Sequence, residues 1–194
     1  RDRSGCARHL LAMSPEPRVL RDLEDLFSTL LDCQIEIRPP LQWFTKKEVT
    51  EKIADTGMAD MLESTVSCTR THSRTRRHTH CGVCSQCIDR RFAVLAAGME
   101  DHDPANQYKK NLLLSDRGVD DSLRMALHYV SFFRKVGSMT KERFLVEVPE
   151  IVSALDYFPT LSADEAGIHI FDLLQRHARS VEDVIARAGS PPCQ

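Results

Sequence analysis

The chain has 194 residues and a formal net charge of −2 at pH 7, which is a length suited to one full core or two small ones. So small a net charge argues against wholesale binding to nucleic acid or to membranes. No apolar run approaches the roughly 18 residues that a membrane span needs, and no signal-peptide pattern appears. We therefore expect a cytoplasmic protein with reduced cysteines and no membrane partner.

The first part of the sequence predicts a helix, a strand and a second helix. Apolar residues recur at helical spacing from Arg18 to Leu31, and residues 34–37 alternate as a short strand does. Thr45 and Glu48 match the capping-box pattern at the start of a helix that runs to about Asp55. This order predicts an α/β fold on a parallel sheet, although only one strand is visible.

Four cysteines follow within a short stretch: Cys68, Cys81, Cys84 and Cys87. Overlapping C-x-x-C units direct their sulfurs at one point, and Gly82 suits a tight turn that often needs a positive φ. Four thiolates close a tetrahedral site, which is typical of structural zinc. An iron–sulfur cluster is an alternative, although the ferredoxin pattern stops matching after Cys87, and unligated thiols are another.

After Asp101 the sequence predicts helices almost throughout, and we expect an all-α extension. The predicted helices cover residues 123–136, 140–148, 150–158, 162–177 and 180–188. Ser162 with Glu165, and Ser180 with Asp183, match the capping-box pattern.

The cysteine cluster and its flanks resemble the C-terminal part of the 7-cyano-7-deazaguanine synthase (QueC) family. The matching positions, in order, are Pro40-Leu41, Lys46, Glu48, Ser67-Cys68, Cys81-Gly82, Cys84, Cys87, Arg90, Gly98, Asp103-Pro104 and Tyr108. The resemblance covers residues 39–108 and leaves residues 109–194 out. It implies that residues 1–108 are the C-terminal part of an adenine-nucleotide-hydrolase-like (ATP-pyrophosphatase, Rossmann-like) domain with a four-cysteine zinc knuckle. Residues 109–194 are then the α-helical extension.

Three features depart from the family pattern. The SGGxDS loop, where the family binds the pyrophosphate of ATP, is absent from this sequence, and the loop between Cys68 and Cys81 is longer and more basic. The helical extension is foreign to the compact biosynthetic enzymes, so the chain resembles more closely the longer QueC-like proteins of bacterial antiviral defence systems, which keep the zinc cluster and add segments. Because the chain opens at Arg1 without a methionine, we expect a fragment. Because the loop that grips ATP is missing, we expect this chain to be inactive alone.

The resemblance implies an ATP-dependent ligase that uses Mg²⁺. Such an enzyme adenylates a carboxylate, releases pyrophosphate, and forms an amide and then a nitrile, as in 7-deazaguanine and queuosine biosynthesis. Its substrate is a deazapurine-type acid or another carboxylate. An alternative function is a non-catalytic, zinc-stabilised binding subunit, acting as a homodimer or within a multi-protein defence complex.

The resemblance also implies two cofactor-binding residues. Lys46 lies at a helix start, where the family places a phosphate-binding lysine and where the helix dipole favours anions. Arg90 matches the family arginine and is expected to clamp a phosphate or the substrate carboxylate. The alternatives are a solvated lysine and a packing arginine paired with Asp89.

The loop of residues 69–80 is strongly basic. Its charged and titratable residues are Arg70, His72, Arg74, Arg76, Arg77, His78 and His80. It is predicted to bind a triphosphate, a nucleic acid or an acidic partner, or else to be a solvated loop. Because no aromatic residue is interleaved, stacking of single-stranded bases is not supported, and nucleic acid is not an expected partner.

Overall fold

A computed structural model describes residues 17–113, 121–151 and 160–189, together with Leu155 and Phe158. Within these residues the helices are α1 (Pro17–Leu31), α2 (Lys46–Asp55), α3 (Met61–Ser64), α4 (Ser85–Ala97), α5 (Asp121–Gly137), α6 (Lys141–Glu147) and α7 (Ala163–Gly189). Short 3₁₀ helices cover Thr71–Ser73, Glu100–His102, Ala105–Gln107 and Pro149–Ile151. No described helix is long and apolar enough to cross a membrane.

The predicted strand at residues 34–37 does not form, and the α/β class is not confirmed because the described part of the chain contains no strand. The backbone N–H of Ile35 donates to the Ser28 hydroxyl (2.9 Å), and that of Ile37 donates to the Glu24 carboxylate (2.7 Å). A strand needs a neighbouring strand for its backbone groups. Here side chains of α1 take that place.

Local capping patterns set several helix starts as predicted. At α2, the Glu48 backbone donates to the Thr45 hydroxyl (3.2 Å), and the Glu48 carboxylate accepts from the Thr45 backbone (2.7 Å). Ser162 and Glu165 form the same reciprocal pair ahead of α7. These pairs satisfy backbone N–H groups that the first helical turn leaves without partners.

Two other helix boundaries differ from the predictions. A short helix from Phe92 to Gly98 is what the sequence predicts after the cysteine cluster, but α4 begins at Ser85, inside the cluster, and ends before Gly98, whose φ is +68°. The predicted break before Ser180 does not exist, because α7 is one helix of 27 residues. The Ser180 hydroxyl donates to the carbonyl of Arg176 one turn back (3.0 Å) rather than capping a new helix. The predicted helix at residues 150–158 lies largely outside the described residues.

The chain divides into two compact units. One contains Arg1–Phe44 and Met139–Leu173, where Trp43 stacks on His169 and Phe144 packs against Phe171. The other contains Thr45–Ser138 and Leu174–Gln194 and holds all four clustered cysteines. The expected domain division at residue 108 stays a prediction.

The core of the cysteine-containing unit forms where α4 packs against α2 and α5. Its fully buried apolar side chains include Ile88, Phe92, Phe133, Val136 and Val181. Burying one such side chain stabilises the folded state by about 1.5–3 kcal/mol relative to leaving it exposed. This core fixes α4, the helix that begins among the cysteines.

Candidate metal centre and adjoining polar networks

Four buried cysteine sulfurs lie within 4.8 Å of one another: those of Cys68, Cys81, Cys84 and Cys87. The sulfurs of Cys81 and Cys87 are 3.9 Å apart, far beyond the roughly 2.05 Å of a disulfide bond. Around a tetrahedral zinc with bonds of about 2.3 Å, neighbouring sulfurs lie about 3.8 Å apart. The four cysteines are therefore placed to hold a metal ion such as zinc.

The turn that shapes the cluster centres on Gly82, whose φ is +73° as its sequence position predicted. This conformation brings two backbone N–H groups, those of Val83 and Cys84, toward the Cys81 sulfur, each with an N···S distance of 3.4 Å. Such hydrogen bonds favour the thiolate over the thiol. The turn thus prepares Cys81 to be a metal ligand.

Without a metal, the electrostatics of the cluster oppose ionisation of all four thiols at once. A hydrogen bond with Cys84, followed by burial, raises the pKa of the Cys87 thiol, and burial raises the pKa of Cys81. The hydrogen bond from Cys87 in turn lowers the pKa of Cys84. Like charges at this separation repel strongly in a buried site, so four thiolates need a bound cation.

A buried acid–base network centred on Asp103 flanks the cluster. Asp103 is fully buried, and its carboxylate accepts from Arg90 Nε (2.8 Å), Arg91 Nη1 (3.0 Å) and the Tyr108 hydroxyl (2.7 Å). The rest of the Arg90 guanidinium donates to the Thr65 hydroxyl (2.6 Å). Burial and the charge of Asp103 raise the pKa of Tyr108, which keeps it a hydrogen-bond donor.

A second buried network joins α2, α4, α5 and α7. The Asp89 carboxylate lies 2.5 Å from Lys46 Nζ and accepts from the Tyr129 hydroxyl (2.8 Å), which also lies 2.6 Å from His177 Nε2. Burial is the largest single effect and opposes ionisation of Asp89, but the charges of Lys46 and His177 and the hydrogen bonds from Lys46 and Tyr129 together outweigh it and lower the Asp89 pKa. Burial lowers the pKa of His177 and favours its neutral form.

The comparison with protein-family models gives one match. The model described as "Queuosine biosynthesis protein QueC" matches residues 16–98, which include all four cysteines, Lys46 and Arg90. This segment is QueC-like. No curated protein and no solved structure matches the chain.

The match confirms the resemblance drawn from the sequence, over less than half of the chain. It implies a nucleotide-hydrolase-like domain and suggests a QueC-like ligase role. The relation to antiviral defence proteins stays a prediction.

In the QueC-like segment, Lys46 lies at the first position of α2, and its side chain is 24% exposed. Besides Asp89, its Nζ contacts the Gln86 side-chain oxygen (2.7 Å). The amine is therefore partly accessible, although it already has an anionic partner. Its role as a phosphate contact stays a prediction.

Arg90 lies in a different setting from the one its predicted role requires. It is 6% exposed, and its nitrogens donate to Asp103, Thr65 and the carbonyl of Leu62 (2.5 Å). This geometry favours the packing and salt-bridge alternative, with Asp103 rather than Asp89 as the acid. Binding of a phosphate by Arg90 would first have to break these contacts.

Sequence reasoning missed three members of these networks, namely Arg91 beside Asp103, and Tyr129 and His177 beside Asp89. The run Asp89-Arg90-Arg91 inside a helix otherwise rich in buried residues was the available indication. Charged residues are rarely buried unless they are paired.

Proposed function

We propose that the QueC-like segment belongs to an ATP-dependent ligase that adenylates a carboxylate, with a structural zinc on the four cysteines. The observation that carries this proposal is the position of a closed four-cysteine cluster inside the matched segment. The donor set consists of four thiolates and leaves no ligand position open for a substrate. The zinc would hold the start of α4 and the loops around it, and the cysteines would take no part in the reaction.

Within this proposal, Lys46 is the residue that binds the phosphates of ATP. Its support is the N-terminal position on α2, where the helix dipole favours anions, and the partial exposure of Nζ. Binding would exchange the ion pair with Asp89 for one with phosphate. Asp89 would keep the Tyr129 hydroxyl as a hydrogen-bond donor during that exchange. Mg²⁺ supplies further charge neutralisation on the phosphates when it is bound with ATP.

The proposal is tested by titrating the protein with Mg·ATP and following hydrogen exchange at the start of α2. We expect protection there, and we expect Lys46→Gln to weaken binding by about 10- to 100-fold, the value of a charge-assisted hydrogen bond. Lys47→Gln is the matched control, because Lys47 pairs with Glu51 on the helix surface (3.1 Å). Equal effects of both variants, or no protection, would overturn the assignment of Lys46.

Catalysis has a separate readout. No SGGxDS-like sequence occurs in the 194 residues, so we expect these residues alone to release no pyrophosphate from ATP in the presence of a deazapurine carboxylate. Such a loop cradles phosphate with backbone N–H groups. Steady carboxylate-dependent release from this chain would contradict that expectation while supporting the ligase assignment itself.

A further inference from the structure

The loop between Cys68 and Cys81 has a composition that the proposed ligase function does not use. Residues 69–80 consist entirely of Arg, His, Thr and Ser, with four arginines and no acidic or apolar residue. The four arginines, Arg70, Arg74, Arg76 and Arg77, are all exposed. Within the described part of the chain, none of their guanidinium groups forms a hydrogen bond or ion pair with another residue.

The loop is folded rather than free. The Thr75 backbone donates to the carbonyl of His78 (2.9 Å), and the His78 backbone donates to the Thr75 hydroxyl (2.9 Å). This turn places Arg76 and Arg77 at its tip. A 3₁₀ turn at Thr71–Ser73 precedes it and leads into Arg74, whose backbone donates to Thr71 (3.3 Å).

Both ends of the loop are fixed. Cys68 and Cys81 belong to the metal cluster, and His80 is fully buried with its ring stacked on Tyr108 at 4.7 Å. The His80 backbone pairs with residues 107 and 109, which brings the exposed Lys109 beside the end of the loop. The arginines are thus presented on a surface that is organised before any partner binds, which lowers the entropy cost of binding.

We propose that this loop, residues 69–80, is a docking surface for the phosphodiester backbone of a nucleic acid. Arg, Ser and Thr are side chains that commonly contact phosphates, and protein–nucleic acid interfaces are polar and positively charged. A protein partner is disfavoured because the centre of a protein interface is apolar and rich in aromatic residues, and the loop contains neither. The chain's net charge of −2 does not conflict with this, because acidic residues elsewhere in the chain offset the four positive charges of the loop.

The loop reads no base sequence and stacks on no base. It has no aromatic side chain for base stacking, so its contacts are electrostatic and largely independent of sequence. Four exposed arginines spread over residues 70–77 suit a polymer with repeated phosphates better than a single triphosphate, which needs convergent groups. The binding is therefore expected to depend steeply on salt.

The experiment is a fluorescence anisotropy titration of the full chain with labelled duplex DNA, duplex RNA and single strands, between about 50 and about 200 mM KCl. The triple variant Arg74→Gln, Arg76→Gln, Arg77→Gln is expected to bind at least about tenfold more weakly at low salt. The slope of log K against log salt should become shallower by about 0.9 for each guanidinium that contacts a duplex phosphate. Comparing the affinities for the three nucleic acids shows which type of phosphodiester backbone the loop binds.

The matched control carries the same charge change elsewhere: Arg38→Gln, Arg143→Gln and Arg179→Gln, three exposed arginines outside the loop. Equal losses in both triple variants, no binding at the lowest salt, or equal affinity for polyglutamate would overturn the proposal. Should the loop variant lose its fold on thermal melting, the triple Arg→Lys variant at the same positions gives the readout. It should keep both the affinity and the salt slope.

Discussion

At the scale of single residues, the buried carboxylate of Asp103 joins two arginines of α4 to Tyr108. Asp103 neutralises Arg90 and Arg91, which are 6% and 7% exposed, and it accepts a hydrogen bond from the Tyr108 hydroxyl. Asp103 therefore fixes the middle of α4, where Arg90 and Arg91 lie, to the segment that leads to Tyr108. Buried ion pairs of this kind add little net stability as a pair, but they are costly to break.

The substitution Asp103→Asn tests this role. Two buried guanidinium groups would lose their counter-charge, and we expect the free energy of unfolding to fall by about 3–5 kcal/mol in a urea titration. Asp101→Asn is the matched control, because Asp101 is exposed in the adjacent 3₁₀ helix, and it should stay within about 0.5 kcal/mol of the parent protein. A similar stability for both variants would contradict the structural role of Asp103.

At the scale of elements, the turn around Gly82 determines how the cysteine loop meets α4. An added Cβ at Gly82 would overlap the backbone carbonyl of Lys110, and the φ of +73° already disfavours a side chain. Gly98, at the other end of α4, has a φ of +68° but open space where a Cβ would lie. The same substitution at the two glycines therefore separates backbone strain from steric overlap.

We expect Gly98→Ala to lower the free energy of unfolding by about 1–2 kcal/mol, because it places a side chain in a left-handed conformation and causes no overlap. Gly82→Ala should cost about 3 kcal/mol or more, since overlap adds to the same strain, and it should lower metal retention as well. Chemical unfolding and metal content measured on both proteins decide the matter. Equal costs would show that the close approach to Lys110 is not maintained in solution.

The helices and their caps also show which parts of the fold can be predicted from the sequence. The caps at Thr45 and Ser162 were predicted because each depends on residues three positions apart. Residues 34–37 were misread as a strand, because alternation is local whereas strand pairing depends on a distant partner. The sequence predicted two helices in place of α7, because Ser180 and Asp183 match the pattern of a helix cap. In the structure the helix continues through both residues. The spacing of the four cysteines likewise predicted that their sulfurs lie close together. Contacts such as that of Asp103 with Arg91 depend on tertiary packing, which local patterns do not reveal.

At the scale of the whole molecule, the described cysteine-containing unit has a helical core at α4 and an irregular region around the four clustered cysteines. The loops that carry Cys68 and Cys81 have little regular structure of their own, and the 3₁₀ turns that flank them are short. A bound metal would supply stability that burial alone does not give these loops. Removal of the metal is then expected to loosen the basic loop and the start of α4 together.

The central claim is that the four cysteines hold one structural zinc ion, and metal analysis of the protein purified without added metal tests it most directly. We expect a single equivalent of zinc per chain, with no iron and no acid-labile sulfide. Cys87→Ser, which alters a fully buried ligand, should lose the zinc, whereas Cys33→Ser, at an exposed thiol, should keep it. Iron with sulfide, or zinc that is absent from the parent protein or unaffected by Cys87→Ser, would contradict the account.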